Sequence, residues 1–130
     1  MELKPGVRGT STVVVAEENT AVRFGAGGVH VFGTPMMIGL MENAAFLAVQ
    51  LLLADGQSTV GTRVNVSHLA ATPIGMRVTA TAELLEVDGR RLLFKVEARD
   101  EKELIGEGQH ERFIITLDRF LSRVEEKAKS

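Results

Sequence analysis

Four side chains carry chemistry in surroundings that give them little structural reason to be there: Glu42, His68, Thr34 and Arg112. Glu42 shares a helical stripe with Ile38, Ala45 and Val49 and stands about 100° from Asn43 on the helical wheel. A carboxylate among apolar neighbours is costly to bury unless paired or protonated, and such surroundings tune a carboxyl for acid or base work. The same pattern suits a glutamate at a packing gap or in a subunit-interface salt bridge, and both readings stay open. On the catalytic reading Glu42→Gln keeps the fold and relieves a buried charge, whereas a purely structural Glu42 predicts loss of stability or dimerisation on that change. His68 extends the face formed by Val60, Thr62, Val64 and Val66, at the end of a strand before Ala70-Ala71-Thr72-Pro73. An imidazole there suits proton transfer near neutral pH, or serves as a core histidine with both nitrogens satisfied by backbone. Thr34 is predicted to cap the helix that follows, where free N–H groups would also favour a developing oxyanion. Arg112, in His110-Glu111-Arg112-Phe113, is either a surface charge or a charge at one end of a site, and His110 carries the same two readings. The basic group Arg90, Arg91 and Lys95 reads first as a solvated face.

These residues need a scaffold, and the hydrophobic pattern supplies one. Gly6 to Val15 reads as a first strand, and Val29 to Phe32 as a short one after the flexible Gly25-Ala26-Gly27-Gly28 loop. Pro35 to about Ala54 reads as one long, nearly all-apolar helix, stopped by Asp55-Gly56. Asn43 and Gln50 mark its wet side. Strands follow over Thr59–Leu69, Met76–Val87, Arg91–Arg99 and Leu104–Leu117, with an Asp88-Gly89 hairpin and a short amphipathic helix after Asp118. One buried helix against a curled antiparallel sheet is an α+β layer architecture. A single sheet covers only one side of such a helix, so a second subunit is expected to cover the rest.

The 130-residue length fits one domain spanning 1–130, long enough for a core without staples. No cysteine is present, which excludes thiol nucleophiles and zinc–cysteine sites and fits a reducing compartment. The net charge of -2 and the absence of Trp and Tyr argue against nucleic acid. His30, His68 and His110 lack any metal-ligand spacing, so no metal is expected. The apolar run after Pro35 approaches membrane-spanning length, but it holds Glu42, Asn43 and Gln50 and has no closely flanking Lys or Arg. It is read as a core helix of a cytoplasmic protein, with no membrane partner.

Three motifs together resemble hot-dog thioesterases of the fluoroacetyl-CoA thioesterase type. Gly33-Thr-Pro-Met-Met-Ile-Gly-Leu-Met-Glu-Asn-Ala-Ala45 looks like that family's central helix. Gly61-Thr-Arg-Val-Asn-Val-Ser-His-Leu-Ala-Ala-Thr-Pro-Ile-Gly75 looks like its next strand and turn, and His110-Glu111-Arg112 also matches. The resemblance covers the chain from about Thr34 onward. It implies a hot-dog fold, hydrolysis of an acyl-CoA thioester, a homodimer with sites near the subunit interface, and no cofactor beyond the CoA moiety of the substrate. It implies a Thr, Glu and His catalytic set falling on Thr34, Glu42 and His68, with Gly61 and Arg112 at further site positions. Glu42 would activate water or attack the carbonyl, and the three residues would be neighbours near the helix N-terminus. Arg90, Arg91 and Lys95 become candidates for the CoA phosphates. The family's specialised member has a longer, aromatic-rich lid before the helix. Here only Phe24 and Phe32 are aromatic in that region, Phe32 being the candidate substrate contact, so no strong preference for the fluorinated acyl group is expected. An acyl-CoA-binding or sensor domain without catalysis is the alternative. A hot-dog enoyl-CoA hydratase is disfavoured, since no Asp here is followed five residues later by a His.

Overall fold

The computed structural model describes residues 2–130. The chain begins with strand β1 (Arg8–Val14) and passes through a 3-10 turn at Glu17–Asn19 into the four-residue helix α1 (Ala21–Phe24). Thr20 caps α1 by accepting from the Arg23 N–H, and Gly25, at φ 80°, ends it. The predicted strand at Val29–Phe32 shrinks to two isolated bridges, Thr20 with Phe32 and Val31 with Pro73.

Helix α2 (Thr34–Val49) starts one residue earlier than the sequence suggests. Gly33, not Thr34, is its N-cap, and the Gly33 carbonyl accepts from Met36 and Met37 N–H at 3.0 Å each. The Thr34 hydroxyl is therefore not spent on capping. Gln50–Leu52 tightens into a 3-10 turn, so the α-helix stops at Val49 rather than near Ala54. Strands β2 (Gln57–His68), β3 (Arg77–Asp88), β4 (Arg91–Arg99) and β5 (Leu104–Thr116) follow, then helix α3 (Leu117–Ala128).

The five strands form one antiparallel sheet in the order β1-β3-β4-β5-β2. The turn at Gly89, φ 62°, joins β3 to β4. β2 does not pair with its sequence neighbour β3. It crosses to the far side of β5 and becomes an edge.

The alternating residues Val78, Ala80, Ala82 and Leu84 of β3, and Leu92, Phe94, Val96 and Ala98 of β4, are fully buried against α2. They meet Met37, Met41, Ala44, Ala45, Ala48 and Val49 of the helix. Full burial of each of the larger side chains stabilises by about 1.5–3 kcal/mol. At Gly9, β1 passes so close that a Cβ there would collide with the α2 backbone at Ala44 and Ala48. Thr34–Leu52 has the length and hydropathy of a membrane span, yet its apolar face is the inner layer of this core.

One departure from regular pairing positions the site. Gly61 pairs with Arg112 and Arg63 with Glu111, which leaves Thr62 as an extra residue in β2. The inward face therefore changes parity at Thr62. Thr59 and Gly61 point inward before it, and Val64, Val66 and His68 after it. The single face through Val60, Thr62, Val64 and Val66 predicted from alternation does not exist.

Candidate active site

Because Thr34 is released from capping, its hydroxyl reaches across to β2 and shares a 2.7 Å hydrogen bond with Nδ1 of His68. The other nitrogen of His68, Nε2, is buried and has no hydrogen-bond partner. Burial holds the His68 pKa below the ordinary imidazole range, with a backbone contact to Ala70 opposing it, so the ring is neutral at pH 7. A neutral, oriented imidazole with one unpaired nitrogen is suited to accept or pass a proton. The pair opens on a cleft of about 370 Å³, bordered also by Ala21, Gly27, Val29 and Phe32. The Phe32 ring is 1% exposed and belongs equally to the core. Phe24 is exposed and stands outside the cleft.

Glu42 sits elsewhere. Two turns along α2, about 12 Å from Thr34, its carboxylate lies against Gly61, where a Cβ would be 2.5 Å from Oε2. The Arg112 guanidinium is 3.6 Å from the same oxygen, and His110 Nε2 is 4.0 Å away. Gly61 and His68 are seven residues apart in β2, six regular steps once the extra Thr62 is set aside, or roughly 20 Å at about 3.3 Å per residue. One chain thus brings together Thr34 with His68, and Glu42 with Gly61 and Arg112. It does not bring all three predicted catalytic side chains into one cluster.

Arg112 explains the second group. It is 6% exposed and fully engaged: Nε donates to Thr59 Oγ1 at 2.8 Å, Nη2 to the Thr59 carbonyl at 2.9 Å, and Nη1 to His110 Nε2 at 3.1 Å. His110 Nδ1 lies 2.8 Å from the Arg63 carbonyl and must be the protonated nitrogen, which leaves Nε2 to accept from Arg112. Burial and the neighbouring guanidinium push His110 below its usual range, with the Arg63 carbonyl and Glu42 opposing them, and the ring stacks on Phe94 with centroids 6.4 Å apart. Burial likewise lowers Arg112, opposed by Glu42, and a guanidinium remains a cation. Neither Arg112 nor His110 is a surface charge. Together they form a rigid cationic floor under the Glu42 carboxylate. The Glu42 side chain is 39% exposed, so the buried charge the sequence suggested at this position is in fact that of Arg112.

Thr59 was invisible as a site residue. Its only sequence signal is a threonine two positions before Gly61, and its partner lies across the sheet. The candidate phosphate-binding group divides. Arg91 is bound to Glu111 at 2.7 Å and lies 3.4 Å from Glu86, and Lys95 lies 3.5 Å from Glu97. Arg90 is left to donate to the Ile114 carbonyl.

A long helix wrapped by a curled five-stranded sheet, with an oriented Thr–His pair and a carboxylate on an arginine floor, defines a hot-dog thioesterase. The sequence model of the fluoroacetyl-CoA-specific thioesterase family matches residues 15–118, and the chain belongs to that family. A fluoroacetyl-CoA thioesterase of Streptantibioticus cattleyicolor is 47% identical over 98 residues, 75% of this chain and 70% of that protein. The solved structure of the fluoroacetyl-CoA thioesterase FlK superposes with a TM-score of 0.91 at 40% identity, covering 98% of both chains. A Thermus thermophilus member of the thioesterase superfamily gives 0.86 at 30% identity, over 97% of this chain and 96% of that one.

Proposed function

We propose that this protein hydrolyses small or medium acyl-CoA thioesters as a cytoplasmic homodimer, without a cofactor, at two sites that each draw on both subunits. One observation carries the two-subunit site: within a chain the Glu42 carboxylate and the unpaired Nε2 of His68 lie on the same face of an unpaired edge strand, far out of reach of each other. β2 is a twelve-residue edge, exposed from Gly61 to Asn65, and such an edge invites a strand. Antiparallel pairing of β2 with its own copy, centred on Asn65, keeps inward residues opposite inward ones and, past the extra residue at Thr62, sets Gly61 opposite the partner subunit's His68. The extra residue at Thr62 matters here, since without it the two would lie on opposite faces. In the pairing, Glu42 activates a water or attacks the thioester carbonyl, and His68, held by Thr34, handles the proton.

Mixing subunits tests this arrangement. Homodimers of Glu42→Gln and of His68→Ala are both expected to be inactive. Co-refolded together, they should regain about a quarter of normal activity, because half of the dimers carry one intact site of two. No recovery, with mixed dimers demonstrated by mass, would place each site within one chain. Activity itself is tested by thiol release from a panel of acyl-CoAs. The cleft beside Thr34 and His68 has aliphatic walls apart from Phe32. The ratio of kcat/KM for fluoroacetyl-CoA over acetyl-CoA is therefore expected to stay within about tenfold, in the range that small steric differences supply. A ratio of several hundred would overturn the specificity reading, and no thiol release from any acyl-CoA would overturn the activity.

A further inference from the structure

A second cleft, of about 520 Å³, is separate from the one beside His68. It lies between the end of β5 and helix α3, and its walls include Phe113, Ile115 and Phe120 with Arg90, Arg119 and Arg123. Arg119 and Arg123 are one turn apart on α3 and so project from the same side. Among the described residues, none of these three arginines has a carboxylate within 4.0 Å, whereas Arg8, Arg91 and Arg99 elsewhere on the sheet do. Asp118 is the acidic side chain in the lining. Phe113 and Phe120 are 42% and 36% exposed, so two aromatic side chains lie partly open beside the unpaired guanidinium groups.

We propose that this cleft binds the nucleotide end of the CoA substrate, with Arg90, Arg119 and Arg123 holding its phosphates and Phe113 and Phe120 its adenine. Guanidinium groups recognise phosphate through paired charge-assisted hydrogen bonds, and an aromatic face stacks on any base. The position suits it. Phe113 follows Arg112 and pairs with Val60, which precedes Gly61. The cleft and the Glu42 site therefore lie back to back across one layer of sheet. In the dimer described above, β2 of the partner ends opposite Gly61, so the edge from Gln57 to Val60 has no partner strand, and the pantetheine arm is assigned to that edge. The assignment rests on the acyl-CoA reading and adds where the non-reacting end is held.

The test is the double variant Arg119→Ala/Arg123→Ala, assayed with acetyl-CoA and with acetyl-pantetheine, which has the same thioester but no nucleotide. Both positions are solvent-exposed, so the fold is expected to persist. KM for acetyl-CoA should rise about tenfold or more, the worth of one or two hydrogen bonds to charged groups. KM for acetyl-pantetheine and both kcat values should stay unchanged. An unchanged KM for acetyl-CoA overturns the assignment. So does an equal rise with both substrates, or a loss of the dimer in sedimentation, either of which gives α3 a structural role instead. Calorimetric titration with adenosine 3′,5′-bisphosphate reads the cleft without turnover. The unmodified protein should bind it and the double variant should not, and no binding to the unmodified protein overturns the proposal even if thioesters are hydrolysed. Binding with no hydrolysis of either thioester keeps the cleft and overturns the catalytic reading alone.

Discussion

Glu42→Gln is expected to lower kcat for acyl-CoA hydrolysis by about 10²–10⁴-fold in a fully folded protein. Gln keeps the size of the side chain but can neither accept a proton at neutral pH nor attack a carbonyl. His68→Ala should cost a comparable factor, and the double variant little more, because residues that act in one step lose their effects together. The stability outcome differs from what the sequence suggests. Glu42 is partly exposed and faces the buried Arg112 at 3.6 Å, so Gln relieves no buried charge. It removes a solvent-screened counter-charge worth about 1 kcal/mol or less, and the thermal midpoint should fall slightly rather than rise. Thiol release and thermal melting on the same sample decide the matter. Normal specific activity in folded Glu42→Gln removes Glu42 from the chemistry, and a large fall in midpoint makes it structural.

Gly61→Ala should separate positioning from stability more sharply still. The new Cβ would lie 2.5 Å from Glu42 Oε2 and 3.1 Å from His110 Cε1. Something has to shift, and the two neighbours are unequal. His110 is fixed by the Arg63 carbonyl, by Arg112 and by Phe94. The carboxylate hangs on a flexible, partly exposed stem, so it moves. Displacing a reacting group by an ångström or so costs about 10²-fold in rate. The expected result is a loss of that order in kcat with a nearly unchanged melting midpoint. Unimpaired turnover would mean that the carboxylate position seen here is not the reactive one.

Much of the scaffold is readable along the chain because it follows strong periodicities. The apolar run after Gly33 is a helix, and the buried faces of β3 and β4 are the alternating residues Val78 to Leu84 and Leu92 to Ala98. The failures have local physical causes. A bulge has no compositional signature, so simple alternation puts Val60 and Thr62 on the wrong face of β2. Thr and Gly are about equally good N-caps, so the local sequence does not decide between them, and Gly33 takes the cap and leaves the Thr34 hydroxyl for His68. Thr59 and His110 serve Arg112 through contacts across the sheet that no local pattern encodes. The separation of Glu42 from His68 within one chain depends on strand length and pairing order. The spacing of residues in sequence is silent about both.

The extra residue at Thr62 also makes β2 sensitive to chain length in a way most strands are not. A substitution at Thr62 leaves the backbone count intact, and its hydroxyl contacts only Glu111 on the exposed side. Deleting it would straighten the strand. Either the half holding Thr59 and Gly61 or the half holding Val64, Val66 and His68 would then turn outward as a block. A change of side chain at position 62 therefore touches one exposed contact, while a one-codon gap there amounts to swapping inside for outside along half a strand.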